Sequence, residues 1–393
     1  MFHSFHRRRV LSCRIALCLF PLVTVCGPLA ADAPTPPASR EALGETLYFD
    51  ANLSKNRTQA CATCHTPAAG FVDSRQTAAG HAVSLGDDGH SLGDRNAPTA
   101  AYARFSPRFH RNEKGVYVGG LFLDGRAATL EDQAGGPPLN PLEMGMPDKA
   151  SVVARLKENP LYVEAFTRLY GEGALADADA GYAAMTSSIA TFERTATFTR
   201  FDSKFDRWLR GEETLTEQEE LGRVLFYSKQ FSNCGQCHLL EKNRLQAAET
   251  FTNYEFHNIG VPVNRATRSV NGVKAVDRGL AQNPAVTGRG EEGKFKVPTL
   301  RNVAVTGPYM HNGVFNDLRT VVLFYNKYNT KNPERLINPE TGKPFEAPEV
   351  DANISLTELQ IGPALDDKRI DALVAFLKTL TDRRYEELAA RGP

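Results

Sequence analysis

The chain has 393 residues, 41% hydrophobic and 23% charged. That length suggests two or three domains, and the composition excludes wholesale disorder. Lys and Arg number 46 against 46 Asp and Glu, so no basic excess points to nucleic acid or an anionic membrane surface.

The first element is a leader. Arg7, Arg8, Arg9 and Arg14 precede an apolar run from Ile15 to Val25, and Gly27, Pro28, Leu29, Ala30 and Ala31 follow it. A basic start, an apolar centre and small residues for cleavage describe a secretory signal peptide over 1–31. The run of eleven residues, with Pro21 inside it, is too short to span a bilayer, which argues against a retained anchor. Val25 before Cys26 is too bulky for a lipoprotein signal. No other stretch has membrane length, so the expected location is the periplasm, without a membrane span.

Cleavage removes Cys13, Cys18 and Cys26 and leaves Cys61, Cys64, Cys234 and Cys237. These four fall in Cys61-Ala62-Thr63-Cys64-His65 and Cys234-Gly235-Gln236-Cys237-His238, both of the form C-x-x-C-H, the attachment signature of c-type haem. Two thiols three positions apart each add to one haem vinyl group, and the adjacent histidine reaches the iron. A zinc site wants its two cysteine pairs about 15–20 residues apart, but 234 − 64 = 170 separates these. Redox pairs or local disulfides have no need of the trailing histidine. Two covalent haems is therefore the reading.

The chain also repeats itself around these motifs. Leu43-Gly44-Glu45-Thr46-Leu47-Tyr48-Phe49 precedes the first, and Leu221-Gly222-Arg223-Val224-Leu225-Phe226-Tyr227 precedes the second. Each reads as an amphipathic helix, the second opened by a capping box from Thr216 to Glu219. Later, Ile189-Ala190-Thr191-Phe192 parallels Leu373-Val374-Ala375-Phe376 at helical spacing. The expectation is a mostly α protein of two cytochrome c-like domains, 32–200 and 201–393, each carrying one haem.

Further segments complete a pattern. Gly86-Asp87-Asp88-Gly89, Gly93-Asp94-Arg95-Asn96, Asp124-Gly125-Arg126-Ala127 and Leu139-Asn140-Pro141-Leu142-Glu143-Met144 lie in the first half. Phe295 to Asn302 and Gly307-Pro308-Tyr309-Met310-His311-Asn312-Gly313 lie in the second. With the two haem motifs, these make the chain resemble the bacterial di-haem cytochrome c peroxidases, and within them the MauG-type enzymes of methylamine utilisation.

The resemblance implies that hydrogen peroxide binds at the His65 haem, with Gln133, Pro137 and Glu143 above it and Glu143 as the acid–base group. Ordinary members hold the second iron between His and Met. The five methionines are Met1, Met144, Met146, Met185 and Met310, and the expected position, fourteen residues beyond His311, holds Tyr325. MauG-type enzymes carry tyrosine there, and a hard oxygen ligand lowers the potential. Read without the resemblance, Tyr325 is a core aromatic of its helix. Asn96, Thr306 and Pro308 match the family's calcium site.

Two departures stand out. Leu123 replaces the family's usual tryptophan before Asp-Gly-Arg, and the only tryptophan is Trp208. His81, sixteen residues after His65, is either a loop histidine or a resting ligand of the first iron that leaves on activation. His90, His110, His257 and His311 are expected to be structural.

The functional expectation is a di-haem oxidase that uses peroxide to oxidise a periplasmic partner, by resemblance a methylamine dehydrogenase precursor. One alternative is a cytochrome c peroxidase fed by a small cytochrome or cupredoxin. Another is a non-enzymatic di-haem electron carrier.

Overall fold

Ser39, Asp148, Asn159, Asp177, Thr216 and Asp366 each turn a side-chain oxygen onto a backbone N–H and so open six helices. Together with one helix that lacks such a cap, α6 (Leu318–Asn326), they are in chain order α1 (Arg40–Tyr48), α2 (Lys149–Lys157), α3 (Pro160–Tyr170), α4 (Ala178–Glu193), α5 (Glu217–Tyr227) and, after α6, α7 (Asp367–Lys378). The capping box before α5 forms: Thr216 Oγ1 accepts from Glu219 N–H at 3.2 Å, and the Glu219 carboxylate accepts from Thr216 N–H at 2.7 Å. Glu340 takes over the role at α6, accepting from the N–H groups of Asn316 and Asp317.

The computed structural model describes residues 35–240, 245–288 and 290–391; the leader over 1–31 lies outside them. The described residues are mostly helical, with only three two-residue strand pairs, 110–111 with 117–118, 256–257 with 295–296, and 337–338 with 343–344. Among them no helix is long and apolar enough to cross a membrane.

Two helix crossings organise the core. At Gly44 in α1 an added Cβ would lie 1.9 Å from the carbonyl oxygen of Ser188 in α4, and at Gly222 in α5 it would lie 1.9 Å from that of Ala372 in α7. Only glycine lets two helix backbones approach so closely. Around the first crossing pack Leu43, Leu47, Tyr48, Phe166, Ile189 and Phe192; around the second, Leu225, Phe226, Ile370, Leu373, Phe376 and Leu377. Edge-to-face ring pairs fill each, Tyr48–Phe198 at 5.5 Å and Phe226–Phe251 at 5.9 Å. From Pro36 onward the chain forms one compact unit.

Candidate haem and peroxide sites

The two motif histidines are held in the same way. His65 follows the short helix Cys61–Cys64, and its Nδ1 lies 3.2 Å from the carbonyl oxygen of Phe71. His238 follows the turn Cys234–Gln236, with Nδ1 at 3.2 Å from the carbonyl oxygen of Phe251. An Nδ1–H given to a carbonyl fixes the tautomer and leaves the Nε2 lone pair for a metal. Burial lowers the pKa of both rings, that of His238 to about 4, so each is a neutral imidazole at physiological pH. No disulfide joins the four motif cysteines. Burial pushes Cys61 and Cys64 up to about 12 and Cys234 up to about 11. Reduced thiols beside a neutral imidazole are the donor set that a c-type haem requires, and the residues present fit that group.

A cavity of about 380 Å³ opens beside the second motif, lined by Cys234, Cys237, His238 and Tyr325 and walled by apolar side chains such as Leu318 and Leu377. Burial first, then the two thiols, raises the pKa of the Tyr325 hydroxyl. The structure thus brings Tyr325, half-buried on α6, into the same cavity as His238. Met310 is the one methionine lining it, and it also packs against Val261, Phe315 and Phe324.

The groups expected above the first haem sit on one tightly bonded loop. Thr129 and Asp132 cap the short helix that carries Gln133, and Pro137 starts the next turn. Backbone bonds from Met144 to Pro137 and from Gly145 to Asn140 close the loop. Asn140 Nδ2 donates to the Glu143 carboxylate at 2.9 Å. Burial raises the Glu143 pKa, opposed by the charge of Arg126 and the bond from Asn140, and its charge is felt at Cys64.

Phe122 stands between this loop and the cavity. It lines the cavity, approaches Gly136, and carries the Arg126 guanidinium 3.7 Å above its ring. Leu123 lines the cavity too. Asn96, Thr306 and Pro308 each line the same cavity. Asn96 Nδ2 donates to the carbonyl of Ala82 at 3.0 Å, which turns its amide oxygen the other way. Among the described residues no group of three or more His, Cys, Asp or Glu forms a metal cluster, and a calcium site here would rest on amide and carbonyl oxygens. His81 is exposed, with Nδ1 at 3.2 Å from the carbonyl oxygen of Arg75.

Sequence reasoning passed over several cavity residues. His257 and His311 both line it; His257 Nε2 faces the Glu255 carboxylate at 3.6 Å, whereas the buried Nε2 of His311 has no hydrogen-bond partner among the described residues. His311 stacks on Phe295 at 3.7 Å, and burial lowers its pKa to about 3. Lys296 reaches the same cavity, where burial lowers its pKa to about 8. Lys296 and His311 lie in segments that carry the resemblance and His257 does not, and only the fold shows that they face one space.

A family model described as di-haem cytochrome c peroxidase matches residues 38–214. The methylamine utilization protein MauG of Paracoccus denitrificans is 53% identical over 375 residues, 94% of this chain and 96% of that protein. Cytochrome c peroxidase Ccp of Escherichia coli is 32% identical over 90% of this chain and 60% of its own length. The solved structure of the diheme peroxidase BthA from Burkholderia thailandensis matches with a TM-score of 0.78 at 31% identity, over 91% of this chain and 89% of that one.

Proposed function

Because the chain belongs to the di-haem cytochrome c peroxidase family and is a peroxidase-type oxidoreductase, we propose that it uses hydrogen peroxide to withdraw electrons from a partner protein, as the MauG-type branch does. The reading assigns one haem to Cys61, Cys64 and His65 in a domain over 32–200. It assigns the other to Cys234, Cys237, His238 and Tyr325 in a domain over 201–393. Each haem, when bound, would supply a redox-active iron, and the one at His65 would serve peroxide chemistry.

The protein's own groups do the rest. The bonds from Nδ1 of His65 and His238 to carbonyl oxygens fix the tautomer and would leave Nε2 free to hold an iron. Glu143, steadied by Asn140, takes a proton from peroxide and returns it to the leaving oxygen, while Gln133 and Pro137 shape the space above. Asn96 with the backbone of Thr306 and Pro308 holds calcium. The exposed position of His81 favours an open first site in the resting enzyme. The signal peptide over 1–31 directs export to the periplasm. The favoured partner is a methylamine dehydrogenase precursor, whose tryptophans become the tryptophan tryptophylquinone cofactor; the 53% identity to a methylamine utilization protein supports this.

The observation that carries the branch assignment is Tyr325 in one cavity with His238, Cys234 and Cys237. The resting oxidised protein is expected to give one high-spin and one low-spin EPR signal and to react with stoichiometric peroxide without prior reduction. Tyr325→Phe is expected to change the low-spin signal, and Met310→Leu to leave it unchanged. The reverse result would remove Tyr325 as ligand. Leu123, in place of the relay indole, favours a second reading in which a small cytochrome or cupredoxin donates electrons for peroxide removal. Two low-spin signals, inert to peroxide until one electron is added, would select it.

A further inference from the structure

The repeat makes one residue conspicuous. Pro98-Thr99-Ala100-Ala101-Tyr102 and Pro298-Thr299-Leu300-Arg301-Asn302 occupy equivalent places. Thr99 Oγ1 donates to the Gly70 carbonyl and Thr299 Oγ1 to that of Thr250, each at 2.6 Å. Tyr102 N–H donates to Phe198 after α4, and Asn302 N–H to Leu380 after α7. Both residues are left-handed, with φ of 60° and 61°. Asparagine tolerates that conformation, whereas a bulky aromatic is strained by it, at a cost of roughly 1–3 kcal/mol. The first half therefore holds a strained tyrosine where the repeat shows that asparagine suffices.

What the tyrosine adds is its hydroxyl. Tyr102 is 1% exposed, and its Oη donates to Asp382 Oδ1 at 2.5 Å. Asp382 Oδ2 accepts from Asn302 Nδ2 at 3.0 Å, so Asp382 joins the two equivalent residues. Burial raises the pKa of both Tyr102 and Asp382, which keeps the phenol protonated and makes the carboxylate a better proton acceptor. The Arg301 guanidinium stands 5.5 Å over the Tyr102 ring and opposes any positive charge left on it.

The position is as telling as the bonding. Tyr102 lines the cavity that holds Cys237, His238 and Tyr325. Two residues earlier, Ala100 N–H donates to the Phe71 carbonyl oxygen, which also pairs with His65 Nδ1. Tyr102 thus joins the strap behind one motif histidine to the cavity of the other, in a chain where Leu123 leaves no indole for that span.

We propose that Tyr102 and Asp382 form a proton-coupled electron relay between the two haem sites. Tyr102 gives one electron to an oxidising equivalent left by peroxide, and its phenolic proton moves along the hydrogen bond to Asp382 Oδ1, leaving a neutral tyrosyl radical. An electron from the partner then restores the phenolate oxygen, and Asp382 returns the proton. The relay rests on the proposed function for its supply of oxidising equivalents.

The test is freeze-quench EPR on the holoenzyme treated with peroxide, made with ordinary and with ring-deuterated tyrosine. The expected result is a radical signal narrowed by deuteration and lost in Tyr102→Phe. Asp382→Asn, which keeps an acceptor for the phenol, is expected to slow radical formation and abolish its sensitivity to heavy water. Tyr102→Asn copies the other half of the repeat and is the folded control for loss of the phenol. A visible spectrum that responds to peroxide without a Tyr102-dependent radical would overturn the relay alone. A spectrum that does not respond would count against the proposed function and the relay together.

Discussion

Two glutamates act on the cysteines of the first motif, Glu193 buried and Glu143 half-buried, and their surroundings set them apart. Glu143 has Asn140 as hydrogen-bond donor and the nearby charge of Arg126. Its pKa still lies above the ordinary carboxylate value because burial dominates. A base must be ionised to take the peroxide proton, so the rate of reaction with peroxide is expected to fall as pH drops through that raised pKa. Glu143→Gln is expected to slow the reaction by about 10²–10⁴-fold and to flatten this pH dependence; stopped-flow absorbance reads both. Glu193, at the end of α4, has a buried Oε2 with no hydrogen-bond partner among the described residues, and burial raises its pKa to about 8. It therefore takes up a proton on folding between the unfolded carboxylate value and about 8. Stability is expected to decline as pH rises through that window, by at most about 1.4 kcal/mol per pH unit. Glu193→Gln is expected to remove this slope in thermal melts recorded across the range, and an unchanged slope would exclude Glu193 as its source.

At the level of elements, the crossings α1–α4 and α5–α7 are the same device used twice. The sequence shows the parallel between Leu43-Gly44 and Leu221-Gly222, and between Ile189 to Phe192 and Leu373 to Phe376, because amphipathic spacing and capping are local properties. It does not show why the glycines are there. The reason is a carbonyl oxygen on the partner helix, 1.9 Å from where a Cβ would stand. Gly44→Ala and Gly222→Ala are each expected to destabilise by about 1–3 kcal/mol or more, since the helices must separate to admit the methyl group. Denaturant unfolding measures this. Because each crossing supports one motif, Gly222→Ala is expected to perturb the low-spin EPR signal and Gly44→Ala the high-spin one.

Across the whole molecule, buried charges tie distant segments together. Arg301, with 0% exposure, pairs with Asp206 through both carboxylate oxygens at 2.5 and 2.9 Å and donates from Nε to the Glu249 carbonyl. Arg95 pairs with Asp124 and, across 182 residues of sequence, with Asp277. A buried pair stabilises little beyond an apolar replacement, but removing one partner strands the other charge. Asp206→Asn is expected to destabilise the folded protein by about 3–5 kcal/mol in denaturant unfolding. A loss below about 1 kcal/mol would mean that Arg301 is satisfied by its carbonyl contact and the rings around it.

The sequence by itself determined the two C-x-x-C-H motifs, the helical repeat and the membership of the di-haem family. Each is written in contiguous residues whose spacing has a local physical reason. Only the tertiary structure decided which distant residues share one space. It set Tyr325 in the cavity of His238, His81 on the surface, and His257, His311 and Lys296 on the cavity wall. It also joined Tyr102 to Asp382, 280 residues away. No periodicity encodes such pairings, because burial and hydrogen bonding between separate elements depend on how the two cores pack together.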